Sequence, residues 1–135
     1  MVGKVKQELG YEPSVKFIKD ILGSEAKIVA YYAAIARKLN SKNAALILQQ
    51  LVYWRCRTQD PDGWVYKTIK EMENELALSR YEQETAIHIL TEYELIEKQV
   101  KGLPPKRYFM VNLERVDEFL KEIVADKRKC QNAEN

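Results

Sequence analysis

Cysteine and histidine are nearly missing from this 135-residue chain, which holds only Cys56, Cys130 and His88. Cys56 falls in an apolar helical stretch and Cys130 in a polar tail. Such a pair offers neither a disulfide framework nor metal-ligand spacing, and the sparing use of thiols points to a reducing, cytoplasmic setting. With five glycines and four prolines, the chain has no glycine-rich phosphate loop and no proline-rich linker. A lone mid-helix histidine and no nucleophile with a matching base predict a protein that is not an enzyme and needs no cofactor or metal. Long hydrophobic runs are also missing. The longest nearly uninterrupted one, Ala44 to Trp54, contains Gln49 and Gln50 and is too short to span a bilayer. Met1 to Lys6 lacks the apolar stretch of a signal peptide. No membrane association is expected.

An excess of one charge is missing as well: 22 Lys+Arg stand against 20 Asp+Glu, a net +2. That excludes a uniformly basic coat for nucleic acid and an acidic disordered chain. Along the sequence, however, charge is segregated. Residues 1–57 carry ten basic and four acidic side chains, residues 67–97 three basic and eight acidic, and residues 98–107 four basic and none acidic.

What is present is an apolar complement of 46%, enough for a core at a length typical of one domain. Residues 1–13, with Gly10 and Pro13, read as a flexible lead-in. Ser14 caps a short helix to Leu22, which Gly23 ends, and Ser24 opens a second helix to Leu39. Ile28, Tyr32, Ile35 and Leu39 would share one face of it. Lys42 to Arg57 is apolar nearly all round, the mark of a central helix. Thr58 to Gly63 is turn chemistry, and Trp64-Val65-Tyr66 a short strand. Thr68-x-x-Glu71 and Ser79-x-x-Glu82 are capping boxes eleven residues apart, opening helices to Leu76 and to about Tyr93 or Glu94. Two capped helices separated by Ala77-Leu78-Ser79 have the spacing of a helix-turn-helix. Residues 96–112 read as a β-hairpin around Pro104-Pro105, and Leu113, Val116, Leu120, Ile123 and Val124 as an amphipathic helix. Residues 127–135 read as a flexible tail.

The runs Ala44–Trp54, Asp62–Thr68 and Leu78–Ala86, with Leu95-Ile96-Glu97 and Lys101–Tyr108, resemble a family of winged-helix proteins. That family is common on phages, plasmids and other prokaryotic mobile elements, and is often described as replication-initiation or primosome-like. The resemblance spans roughly residues 40–120 and is most specific from Trp64 to Ala86. It implies a mainly α fold with a small β-hairpin wing. This would be a winged helix-turn-helix domain over 14–126, with core 41–112, additional N-terminal helices over 14–39 and a C-terminal helix over 113–126. The implied function is double-stranded DNA binding in replication or transcriptional control.

In such a motif the second helix meets base edges in the major groove. On a helical wheel Ala86, Ile89, Leu90 and Tyr93 face inward, while Arg80, Tyr81, Glu84, His88 and Thr91 face outward with Gln83 and Ile87 on the flank. Arg80 suits guanine and Gln83 adenine, Glu84 could accept from cytosine N4, and Ser79 at the helix start could hold a phosphate. Lys98, Lys101, Lys106 and Arg107 in the wing, with Lys67, Thr68 and Lys70 at the first motif helix, are candidate backbone contacts. The family tends to carry arginines and lysines after the alanine, where this chain has Ile87, His88 and Ile89. The helix is acidic, and Glu71, Glu73 and Glu75 read as solvated surface. The alternative is a protein-interaction module that uses Ile87 as a contact. Either reading admits a homodimer and a replication or regulatory protein partner.

Overall fold

The computed structural model describes residues 14–134, of which the lead-in 1–13 is no part. Among the described residues helix dominates, with six α-helices and a small three-stranded antiparallel sheet. In chain order these are α1 (Ser14–Leu22), a 3-10 turn (Gly23–Glu25), α2 (Ala33–Leu39), α3 (Lys42–Arg55), β1 (Val65–Tyr66), α4 (Ile69–Leu76), α5 (Arg80–Glu92), β2 (Ile96–Lys101), β3 (Lys106–Val111) and α6 (Leu113–Glu134).

The central element is α3. Ser41 caps it, its Oγ accepting from Ala44 N at 3.0 Å, and Ala44, Ala45, Ile47, Leu48 and Leu51 are buried. With apolar groups on most of its circumference, it packs at once on α2, α5, β1 and β3. Phe109 from β3, Phe119 from α6, Leu90, Leu95 and Met72 complete the core and are fully buried. In the sheet β3 lies between β1 and β2, with Val65 opposite Phe109 and Lys98 opposite the same residue on the other side. Strand alternation sends Arg107, Phe109 and Val111 inward and Lys106, Tyr108 and Met110 outward.

Two expectations fail at helix boundaries. The helix foreseen from Ser24 to Leu39 forms only from Ala33. The preceding segment is irregular, and the side chain of Gln49 takes the place of helical partners. Its Oε1 accepts from Tyr32 N at 2.8 Å and its Nε2 donates to Ala30 O at 3.4 Å. The foreseen face therefore splits: Ile35 and Leu39 enter the core, while Ile28 and Tyr32 stay exposed. The terminal helix passes Asp126 and runs to Glu134, so the foreseen tail is helical through that residue. Lys127 to Glu134 contains no glycine or proline to stop it. Lys38 on α2 donates to Asp126 on α6 at 2.6 Å, and Tyr93 Oη donates to Lys38 O at 3.1 Å while its ring meets Phe119 edge-on.

Candidate nucleic-acid interface

The tandem helices are set by their termini. Thr68 Oγ1 accepts from Glu71 N at 3.0 Å, and Ser79 Oγ accepts from Glu82 N at 3.2 Å. Both glutamates reach back to the capping residue's N–H, so each box is complete. Hydrogen bonds from Ser79 hold the Glu82 carboxyl below the usual carboxylate range. Between the helices Ala77 adopts a left-handed conformation, φ 57°, and Leu78 is buried.

The arc of α5 that faces inward is Gln83, Ala86, Ile87 and Leu90. Arg80, Tyr81, Glu84 and His88 face outward, Tyr81 being 76% exposed. The foreseen wheel is thus rotated toward Gln83 and Ile87, because α5 is covered on two sides, by α3 and by α4.

Gln83 is the main correction. It is fully buried, and its Nε2 donates to Ile69 O at 3.0 Å and to Leu78 O at 2.9 Å. Those carbonyls belong to α4 and to the joint, so Gln83 fastens α4 to α5 and presents nothing to a base edge. Its Oε1 accepts from Arg107 Nη2 at 3.0 Å, and Arg107 Nε donates to Lys67 O at 3.2 Å. Arg107, assigned from sequence to a wing surface, instead points inward from β3 and ties hairpin, β1 and α5 to one another. Burial pushes its guanidinium below the usual range, with the nearby Glu84 carboxylate opposing that shift.

Lys67 is likewise withdrawn from any phosphate. Its ammonium pairs with Glu75, lies 3.9 Å from Glu71 and sits 4.1 Å from the centre of the Trp54 ring. Glu75 also accepts from Gln50 at 3.2 Å, so it and Glu71 are structural partners and not merely solvated surface. Thr68 is committed to its cap. Ile87, the contact assigned to an interaction module, is buried in the core.

What remains outside is a smaller set. Arg80 Nε donates to Glu84 at 3.1 Å, and His88 lies 3.8 Å from Glu92. Two of the outward carboxylates are thus already beside a basic group on the same helix. Lys70, Lys98, Lys101 and Lys106 are exposed, and among the described residues none of them forms an ion pair.

The chain matches no protein-family model, no curated protein and no solved structure.

Sequence reasoning missed the outer face of the sheet. Tyr66 and Tyr108 sit side by side, ring centres 5.3 Å apart, and Lys101 lies over both Trp64 and Tyr108. The signal was available in the alternation of Trp64-Val65-Tyr66, where burying Val65 turns both aromatic neighbours to the other side. Among the described residues no helix is long and apolar enough to cross a membrane, and no three His, Cys, Asp or Glu side chains gather as a metal site.

Proposed function

We propose that this chain is a winged helix-turn-helix protein that binds double-stranded DNA through the outward arc of α5 and the β2–β3 hairpin. One observation carries the reading. A capped, exposed helix start lies beside a hairpin whose lysines have no acidic partner among the described residues. Arg80, Tyr81, Glu84 and His88 would face the major groove, and Lys98, Lys101 and Lys106 the backbone of an adjoining groove. Because the capping box takes the N–H of Glu82, a phosphate at this end would rest on the N–H groups of Arg80 and Tyr81. Glu84 is a smaller obstacle than helix charge suggests, since Arg80 neutralises it locally; separating an exposed pair of this kind costs about 0.3–0.5 kcal/mol. A role in replication or transcriptional control of a mobile element follows from the family resemblance.

Electrophoretic or anisotropy titration with mixed-sequence duplex at several salt concentrations tests this. Affinity is expected to fall steeply with salt, and Lys101→Ala with Lys106→Ala to reduce the log–log slope by about 2. Absence of any duplex binding at low salt would overturn it.

A second reading is supported by a different surface. Phe17, Ile18, Ile21 and Leu22 of α1 are all about half exposed or more, and Ile28 is 87% exposed. The substantial packing of α1 is confined to the turn that follows it. A nine-residue helix is too short to hold its shape unaided in water. The arm of residues 14–32 therefore suits a second copy of the chain or a replication or regulatory partner, and a homodimer would place two α5 helices on half-sites about 34–36 Å apart.

A further inference from the structure

We infer that the outer face of the three-stranded sheet is a stacking platform for unpaired bases, so that this protein also takes a single-stranded nucleic acid. The face is built by register. Tyr66 on β1 lies opposite Tyr108 on β3, and Tyr108 lies opposite Gln99 on β2. Trp64 precedes β1 in the same alternation. At the hairpin end Lys101 and Lys106 pair across the strands, and both send their ammonium groups back over the aromatic rings. Lys101 Nζ is 5.3 Å from the centre of the Trp64 ring and 5.7 Å from that of Tyr108, and Lys106 Nζ is 5.6 Å from that of Tyr66.

Each part matches what a single strand offers. Every base has a π-face, so stacking on aromatic side chains is tolerant of sequence, and the intervening phosphates require mobile cations. Tyr66 is 40% exposed, Trp64 and Tyr108 are half-buried, and Gln99, Lys101 and Lys106 are exposed. The rings are thus held at their bases yet open at one side. Ammonium groups at the outer limit of cation–π range on exposed rings are weakly held, and a phosphate competes for them readily. Charge at the hairpin end favours this occupant over a protein partner, because neither lysine forms an ion pair among the described residues. Glu97, the acidic residue of β2 on this face, lies across from Met110 at the opposite end of the hairpin. A duplex cannot use this surface in the same way, since its bases are stacked on one another. The platform is independent of the outward arc of α5 and extends the proposed function to DNA that has been opened.

The test is a fluorescence-anisotropy titration of labelled oligothymidylate, about fifteen nucleotides long, run beside a duplex of equal length. Replacing both tyrosines by valine keeps strand-favouring residues in the strands and removes the rings. The double variant Tyr66→Val, Tyr108→Val is expected to bind the single strand at least tenfold more weakly, with melting by circular dichroism confirming the fold. Tyr66→Phe with Tyr108→Phe should retain binding. In a Trp54→Phe background, the emission of Trp64 should be quenched as the strand is added. Unchanged affinity in the folded valine variant, no binding by the unmodified protein, or an unmoved Trp64 signal would each overturn the platform. If the unmodified protein binds the single strand but not the duplex, the proposed duplex function is overturned and the platform stands.

Discussion

Gln83 and Arg80 show how differently a polar side chain behaves on either side of a helix. An exposed glutamine at the start of a motif helix exchanges its hydrogen bonds with water at little cost. A buried one must satisfy its amide inside the protein, and Gln83 uses Nε2 twice and Oε1 once. Replacing it with leucine removes a donor from the carbonyls of Ile69 and Leu78 and leaves Arg107 Nη2 with only Met72 Sδ, at 3.9 Å. Gln83→Leu is therefore expected to lower unfolding free energy by about 3 kcal/mol in urea titration. A glutamine lying in solvent would change stability by no more than about 0.5 kcal/mol, so the measurement separates a fastening role from a base-reading one. Arg80 is the opposite case: exposed and singly paired, it can exchange Glu84 for a ligand without disturbing the core.

At the scale of elements, the joint between α4 and α5 carries a strain that sequence inspection passes over. Ala77 ends α4 with φ 57°, a conformation that costs a residue bearing Cβ about 1–2 kcal/mol. Ala77→Gly should stabilise the protein, net of the extra freedom of the unfolded chain, by roughly 0.5–1 kcal/mol, read as a raised midpoint in thermal unfolding. The caps and the α2–α6 tie also make stability depend on pH. Glu82 is held low by its bonds to Ser79, and Asp126 by its bond to Lys38. A carboxyl lowered in the folded state contributes above its unfolded value and loses that contribution as pH falls through the folded one. Stability should thus decline as pH falls through and below the ordinary carboxylate range of about 4, and Glu82→Gln with Asp126→Asn should flatten that decline in acid titration followed by circular dichroism. Lys38 is raised by the same Asp126, so its share is present below its unfolded value and is lost only as pH rises through the folded one.

For the whole molecule the open matter is what covers the N-terminal arm. Its apolar side chains Phe17, Ile18, Ile21, Leu22 and Ile28 are each about half exposed or more, an apolar surface of the kind that marks an interaction site. Sedimentation equilibrium is expected to give a dimer that Ile21→Glu with Ile28→Glu converts to monomer; a monomer in the unsubstituted protein would assign the arm to another partner. Charge at this scale is equally uneven. The near-neutral total conceals hairpin lysines that point outward and a motif helix whose carboxylates are largely engaged within it: Glu82 in its cap, Glu84 with Arg80, Glu92 beside His88.

Much of the fold was written in local chemistry. The two capping boxes, the apolar girth of Ala44 to Trp54, the Asp62-Gly63 turn and the alternation in Lys106–Val111 each involve residues within a few positions of one another, so short-range sterics and hydrogen bonding determined them. Local chemistry also kept Arg80, Tyr81, Lys101 and Lys106 outside. It could not decide the fate of Gln83, Ile87, Lys67 and Arg107, since apart from Leu78 the partners of Gln83 and Arg107 lie 14 to 40 positions away and Lys67 is stacked on Trp54 from another element. Helix periodicity states that Gln83 borders the apolar arc; only the arrival of α4 and β3 on the same side closes water away from it. Another distant contact accompanies the exposure of Ile28 and Tyr32, since Gln49 of α3 bonds the backbone of Tyr32 and Ala30 where a further turn of helix was foreseen. Sequence alone determined where the capped helices after Thr68 and Ser79 begin, and tertiary structure decided where α2 starts and which polar groups are shut in, because burial depends on surfaces that meet only once the chain has folded.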